Sequence, residues 1–318
     1  MTESSEVIPV RWQRKAAIMR IAAQLPYGYR LYRAGQKKMG RLRADPMGRL
    51  PMQVEMVRWF SQQGMSVERA SLFEVGTGHI PVIPIGFFLS GTAQVITVDL
   101  HRRIDWGLTR DNLEWIASHR CEVQELYADV VSGDVFDERF AILVQWQDNP
   151  SRFLKEAGIE YLAPMDAAHT GLPSKSIDCH FSVTVLEHIS PPVLADIFTE
   201  AKRILKPTGT AMHFVDLSDH FQHQDQSITR INFLKFSDLE WNRIAGNEFA
   251  YCSRLRASDY LRLFQGLGFA IKKIETSTDQ ESVHSLQNGF PIKSQFYAYT
   301  NAELSATTLK VMLHLEEA

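Results

Sequence analysis

Cysteine is scarce in this chain. Its 318 residues hold three, Cys121, Cys179 and Cys252, far apart and forming no CxxC pair. That spacing excludes a disulfide scaffold or a zinc ribbon and leads us to expect a reducing, cytoplasmic setting. Long hydrophobic runs are also missing. The most apolar stretch, IPVIPIGFFLSG, is too short and too rich in proline to span a bilayer. The opening MTESSEVIPVRWQRK shows no apolar segment behind a basic start, so no secretory signal is read. Repeats and low-complexity tracts are absent as well, which excludes solenoids and biased linkers. What remains is the expectation of a soluble folded chain, with 45% hydrophobic residues to build its core.

Charge is unevenly spread. The net charge is −3, yet residues 1–64 carry twelve Lys/Arg against four Asp/Glu, a net of +8, leaving −11 on the rest. An acidic body argues against a nucleic-acid groove across it. The basic arm reads as a helical N-terminal extension over 1–64, with an amphipathic helix in VRWQRKAAIMRIAAQL and another in QVEMVRWFSQQG. A membrane surface is one partner such an arm could meet, but its modest apolar face favours packing on the protein. Oligomeric state has no signature in the sequence.

From residue 65 onward the pattern changes to alternating strands and helices. SLFEV, AQVITVDL, IEYLAPMD, SIDCHFSVTV and TAMHFVDL read as five strands, with a helix over SPPVLADIFTEAKRILKPTG. The helix SDYLRLFQGLGF and the strands FAIKKIET and TLKVMLHL follow. Such alternation predicts an α/β domain over 65–318 with a mostly parallel sheet. Two intervals, about 101–157 and 217–256, are too long for plain connections and read as insertions. The first strand runs into FEVGTGHIPVIP, where Gly76 and Gly78 permit a tight turn while Pro81 and Pro84 suit the first turn of a helix. Asp99 follows Gly76 by 23 residues, a fitting place for a carboxylate on ribose hydroxyls. Asp166, at the third strand's end, could accept a hydrogen bond from an adenine amino group. A nicotinamide GxGxxG would need glycine at position 81, which is proline.

Taken in order, EVGTG, VDL, APMDAAHTGLPSKSID, SVTVLEHI and EAKRILKPTG resemble the successive motifs of class I S-adenosylmethionine-dependent methyltransferases, of the type 11 kind, across roughly residues 71–216. The resemblance implies a Rossmann-like seven-stranded sheet of order 3-2-1-4-5-7-6 with the last strand antiparallel. It also implies S-adenosyl-L-methionine as cofactor. By position, Glu74, Gly76, Thr77 and Gly78 would form the turn around its amino-acid part, and Asp99 would bind the ribose with Leu100 beside the adenine. Asp166 and Ala167 would contact the base, and Val183 and Thr184 would flank the sulfonium. Ile80 departs from the family, which commonly has a third glycine there.

For the chemistry, a base should sit beyond the fourth or fifth strand. His188 in LEHI is one candidate, its competing role being to order the loop. The cluster HFVDLSDHFQHQD supplies His213, Asp216, Asp219, His220, His223 and Asp225. From it we take His220 and His223, three apart on one helical face, with Asp219 as an orienting carboxylate. A divalent metal there is the less favoured reading, since the spacing is permissive. Trp241, Asn247, Phe249, Tyr251, Arg254 and Arg256 are read as the roof of an acceptor pocket, with Tyr27, Tyr29 and Gln36 of the arm as further candidates. The expected acceptor is a small, sugar-like molecule methylated on a hydroxyl. SVTV stands where base-amino methylation would call for [DN]PP[YF]. A non-catalytic scaffold of the same fold, or an acceptor linked to a lipid at a membrane surface, are the alternatives.

Overall fold

The computed structural model describes residues 11–38 and 43–316. Its sheet comprises β1 (Ser71–Val75), β2 (Gln94–Val98), β3 (Ile159–Leu162), β4 (Ile177–Val183), β5 (Leu205–Asp216), β6 (Phe269–Thr278) and β7 (Ala306–Leu315). The order is β3-β2-β1-β4-β5-β7-β6, the order that the resemblance implied. β7 runs antiparallel to β5 and β6, and the other pairings are parallel.

The central strands read as continuous apolar runs because both of their faces are covered. Leu72, Val95 and Phe181 face one core, while Phe73, Val75, Ile96 and Val98 face the other. Of the helices, α1 spans Trp12–Gln24, α2 Gly28–Lys38, α3 Leu50–Gln62 and α4 Val82–Leu89. α3 and α4 pack into the first core, and every residue of α4 is buried, so its sequence shows no polar face. Four helices between Trp106 and Glu156 complete that layer and account for the first long interval. The helices Pro191–Ile204 and Ala257–Gly266 cover the opposite face. A smaller third core joins Ala16 and Met19 of α1 to Phe221, Trp241 and Ala245 of the second insertion. No helix among the described residues is long and apolar enough to cross a membrane.

Two regions differ from the sequence reading. β5 begins at Leu205 rather than Thr210, and its pairing with β4 jumps from Ile177↔Leu205 to Cys179↔Thr210. Pro207, lacking an N–H, sits inside that irregularity instead of ending a helix. Between β6 and β7 lie the helices Gln280–Gln287 and Asn301–Ser305, which the apolar pattern did not mark. The first buries only Ser282, so it has no stripe to read; its Asp279 cap holds it instead.

The second core contains an unusual polar pair. His180 on β4 and His213 on β5 are both fully buried, with rings 5.3 Å apart, and Phe73 stacks on His180. His213 shares a 2.8 Å hydrogen bond with Ser182 through Nδ1, but neither ring nitrogen of His180 has a partner among the described residues. Burial pushes the His180 imidazole down to about 3, against the opposing charge of Glu200. Between about pH 6.5 and 3 the unfolded chain therefore binds a proton that the folded chain refuses, and stability falls as pH falls. His180→Phe should stabilise the protein by about 1 kcal/mol near neutrality. In urea unfolding the advantage over wild type should widen below pH 6.5, by up to about 1.4 kcal/mol per pH unit.

Candidate functional site

The carboxyl ends of β1 and β4 lie side by side where the strand order reverses, which is where open α/β sheets bind ligands. At the end of β1 the backbone of Gly76 turns with φ +84°, and its N–H donates to Val98 O at 2.8 Å. A side chain at Gly76 would place its Cβ 2.6 Å from Val185 Cγ2, so the turn and the β4 loop meet only because Gly76 has none. Gly78 has φ +70°, and its N–H donates to Asp99 Oδ1 at 3.3 Å. The Glu74 carboxyl is buried beneath the turn, where it accepts from Thr97 Oγ1, which in turn pairs with Thr77 Oγ1. Burial pushes the Glu74 carboxyl up to about 8, against the Thr97 hydrogen bond. Asp99 also accepts from Tyr161 Oη at 3.1 Å, and burial raises it to about 6 against the Gly78 and Tyr161 bonds.

Three recesses open here, and Gly76 and Val185 line all of them. One of about 430 Å³ holds Glu74, Thr77, Gly78, Val183, Thr184 and Arg49. Arg49 Nη1 donates to Thr184 Oγ1 at 2.8 Å, and Thr184 itself has φ +53°. A second, of about 510 Å³, is bounded by Asp99, the exposed Leu100, Asp166 and the buried Ala167. The Asp166 carboxylate accepts from Ala168 N at 2.9 Å and pairs with His169; the Ala168 bond chiefly lowers its pKa. All ten residues named from the sequence for a cofactor thus lie along two adjoining recesses.

The third recess, about 570 Å³, is lined by His188, His220 and His223 beneath Tyr29, Trp241 and Phe249. Asp216, the last residue of β5, brings the histidines together. Its Oδ2 lies 3.4 Å from Nε2 of both His220 and His223, and its Oδ1 accepts from Ser218 N and Oγ. Burial alone would raise this carboxyl, but the imidazoles of His220 and His223 beside it hold it far below the usual range. The rings of His220 and His223 are 5.0 Å apart, and His188 meets His220 edge-on at 4.9 Å. The His188 Nδ1–H donates to Tyr251 O at 2.8 Å, which leaves Nε2 to the cleft. Desolvation, then the neighbouring His220, lower the His188 imidazole. Beneath them, Glu187 is buried and pushed up to about 8 by that burial. The N–H groups of Glu187 and Asp216 lie near its carboxyl without meeting hydrogen-bond geometry.

Asp219 does not orient the histidines as expected. It is buried inside the loop, where Phe221 N donates to Oδ1 at 2.9 Å and Asn232 Nδ2 to Oδ2 at 3.4 Å. Asp216 takes the orienting place because it ends β5 beside both histidines, whereas the following turn commits Asp219 to Phe221 N and Asn232. His213 is one of the buried core pair, and Asp225 accepts from Trp12 N at 2.7 Å, tying the arm down. Arg254 donates to Phe233 O, Phe236 O and Asp238, and Arg256 to Leu217 O and Ala306 O, so both brace the insertion instead of awaiting an anion. Tyr27 points outward, whereas Tyr29 stacks on Phe249 with rings 9° from parallel and bonds His79 Nδ1 at 3.2 Å. His79 is thus held between the arm and Arg103 O. Arg49, Tyr161 and Glu187 were not singled out from the sequence. None stands in a spacing that marks it, and each acquires its place through tertiary packing.

Residues 120–213 match the family model described as a methyltransferase domain. No curated protein matches the chain in sequence. Among solved structures, a geranyl diphosphate methyltransferase in complex with SAM is 9% identical with a TM-score of 0.45, covering 82% of this chain and 85% of that one. The geranyl diphosphate C-methyltransferase of Streptomyces coelicolor A3(2) is 11% identical with a TM-score of 0.42, covering 82% and 80%. A phosphoethanolamine N-methyltransferase 2 from Haemonchus contortus is 15% identical with a TM-score of 0.42, covering 83% and 53%.

The two glycines should respond differently to a methyl group. Gly76→Ala meets both a positive φ and Val185, whereas Gly78→Ala meets the positive φ alone, with no described atom within 4 Å of its Cβ. Denaturant midpoints should show a loss of about 1–3 kcal/mol for Gly76→Ala and a smaller one for Gly78→Ala.

Proposed function

We propose that this chain is an S-adenosyl-L-methionine-dependent methyltransferase acting on the hydroxyl of a small, sugar-like acceptor. The observation that carries the reading is the convergence of the glycine turn, Asp99 and the histidine cluster on three adjoining recesses, all of them lined by Gly76 and Val185. When bound, S-adenosyl-L-methionine supplies a methyl group on a positively charged sulfur. The donor set suits it. Asp99 keeps acceptor capacity beyond its two hydrogen bonds, as a ribose diol requires. Arg49 beside the open Gly78 backbone suits a carboxylate. Leu100 and Ala167 give an apolar floor beside Asp166, as an adenine requires.

On the acceptor side, the chain has to orient a hydroxyl and take its proton. His220 and His223, both supported by Asp216, are the groups placed for this, with His188 facing them. Tyr29, Phe249 and Trp241 line the same recess, an aromatic wall suited to the apolar side of a ring-bearing acceptor. Packing of α1 and α2 against the insertion favours the arm as part of this roof over the arm as a membrane anchor.

Asp99→Ala should weaken S-adenosyl-L-methionine binding at least tenfold in calorimetry; unchanged affinity would overturn the cofactor assignment. His220→Ala should keep that affinity while lowering methyl transfer by about a hundredfold or more, measured with labelled cofactor on a cell extract. Tight cofactor binding without labelled product across broad acceptor pools would favour the scaffold reading.

A further inference from the structure

Under the histidines, Glu187 presents a problem of electrostatics. Its side chain is 1% exposed, and neither carboxyl oxygen has a hydrogen-bond partner among the described residues. A buried carboxyl left in that state is costly unless a proton or a cation completes it. The same group lies with His188 and His220 such that one ligand atom from each falls within 4.8 Å of the others. Atoms sharing one transition-metal ion at about 2.1 Å sit roughly 3–4 Å apart, within reach of small side-chain rotations from this arrangement.

We infer that Glu187, His188 and His220 form a binding site for one divalent transition-metal cation whose open positions face the acceptor recess. The surroundings have the form that ligating histidines take elsewhere. The His188 Nδ1–H is committed to Tyr251 O, which fixes the tautomer and leaves the Nε2 lone pair available, while Asp216 stands 3.4 Å from His220 Nε2 as an outer carboxylate. Two imidazoles and a carboxylate suit Zn²⁺, Mn²⁺, Fe²⁺ or Co²⁺ better than Mg²⁺ or Ca²⁺, which prefer all-oxygen sets. Three protein ligands leave coordination positions vacant, the arrangement of a site that takes an exchangeable oxygen ligand rather than a structural metal. The recess above gives the cation a path in and the oxygen of an acceptor a path to it. With His220 on the cation, the proton-taking role falls to His223 alone, which lies outside the set, beside Asp216, and would receive the proton of a cation-bound hydroxyl. Cation binding stands on these residues alone; its use on an acceptor rests on the methyltransferase reading.

The test uses the untagged full-length chain, stripped with a chelator and titrated with Co²⁺ and Mn²⁺. Calorimetry should give one equivalent, and Co²⁺ should show the visible absorption of a nitrogen- and oxygen-bound ion. Glu187→Gln, which keeps the side chain's shape, and His188→Ala should each weaken binding at least about tenfold, while His284→Ala on the distant helix should not. A stripped wild type that takes up no cation, or a folded Glu187→Gln that binds as well as wild type, overturns the site. S-adenosyl-L-methionine titrated into the same samples separates the two claims. Cation binding without cofactor binding removes the methyltransferase reading and leaves the site standing; cofactor binding without cation removes the site alone.

Discussion

Everything in the cleft depends on the bare contact between Gly76 and Val185. β1 and β4 are neighbours in the sheet, yet their following loops diverge, and the space between them is set by how closely the two backbones approach at their ends. A glycine with positive φ lets the first loop fold under the second. That approach directs the Gly78 N–H at Asp99 and puts Thr184 within reach of Arg49, and all three recesses touch at Gly76 and Val185.

The fold was legible because its signals are local. Gly76, Asp99 and Asp166 each follow a strand whose apolar run announces it, and the strand order that the resemblance implied is the order observed. The helices between β6 and β7 were not legible, because polar segments held by caps at Asp279 and Thr300 leave no apolar period. Within the site, the density of histidine and aspartate after β5 pointed to the right loop but not to the right partner. Asp216 and Asp219 have the same chemistry and differ only in which way a turn faces them. Glu187 was harder still, since its significance lies in the hydrogen bonds it fails to make.

Buried ionisable groups pull the stability of this protein in opposite directions. Glu74, raised to about 8, is buried without charge in acid and carries a growing cost as pH climbs from about 4.5 to 8. His180, lowered to about 3, carries its cost on the acid side, below about pH 6.5. The two partly cancel between about pH 4.5 and 6.5, so the sheet tolerates polar side chains in its interior with a flatter pH response than either would give alone.

The cleft has an uneven division of labour between floor and ceiling. Strand ends supply the floor, where Glu74, Asp99 and Asp216 are fixed by the sheet itself. The ceiling over the histidines comes from α1, α2 and the 217–256 segment, joined to one another by Tyr29 on Phe249, Trp12 on Phe221 and the Asp225 tether. None of those ceiling residues lies on a strand, and none takes part in the turn at Gly76. Exchanging the ceiling would therefore change which molecule is admitted without disturbing the sheet, since the helical arm and the 217–256 segment can vary while the strand ends stay fixed.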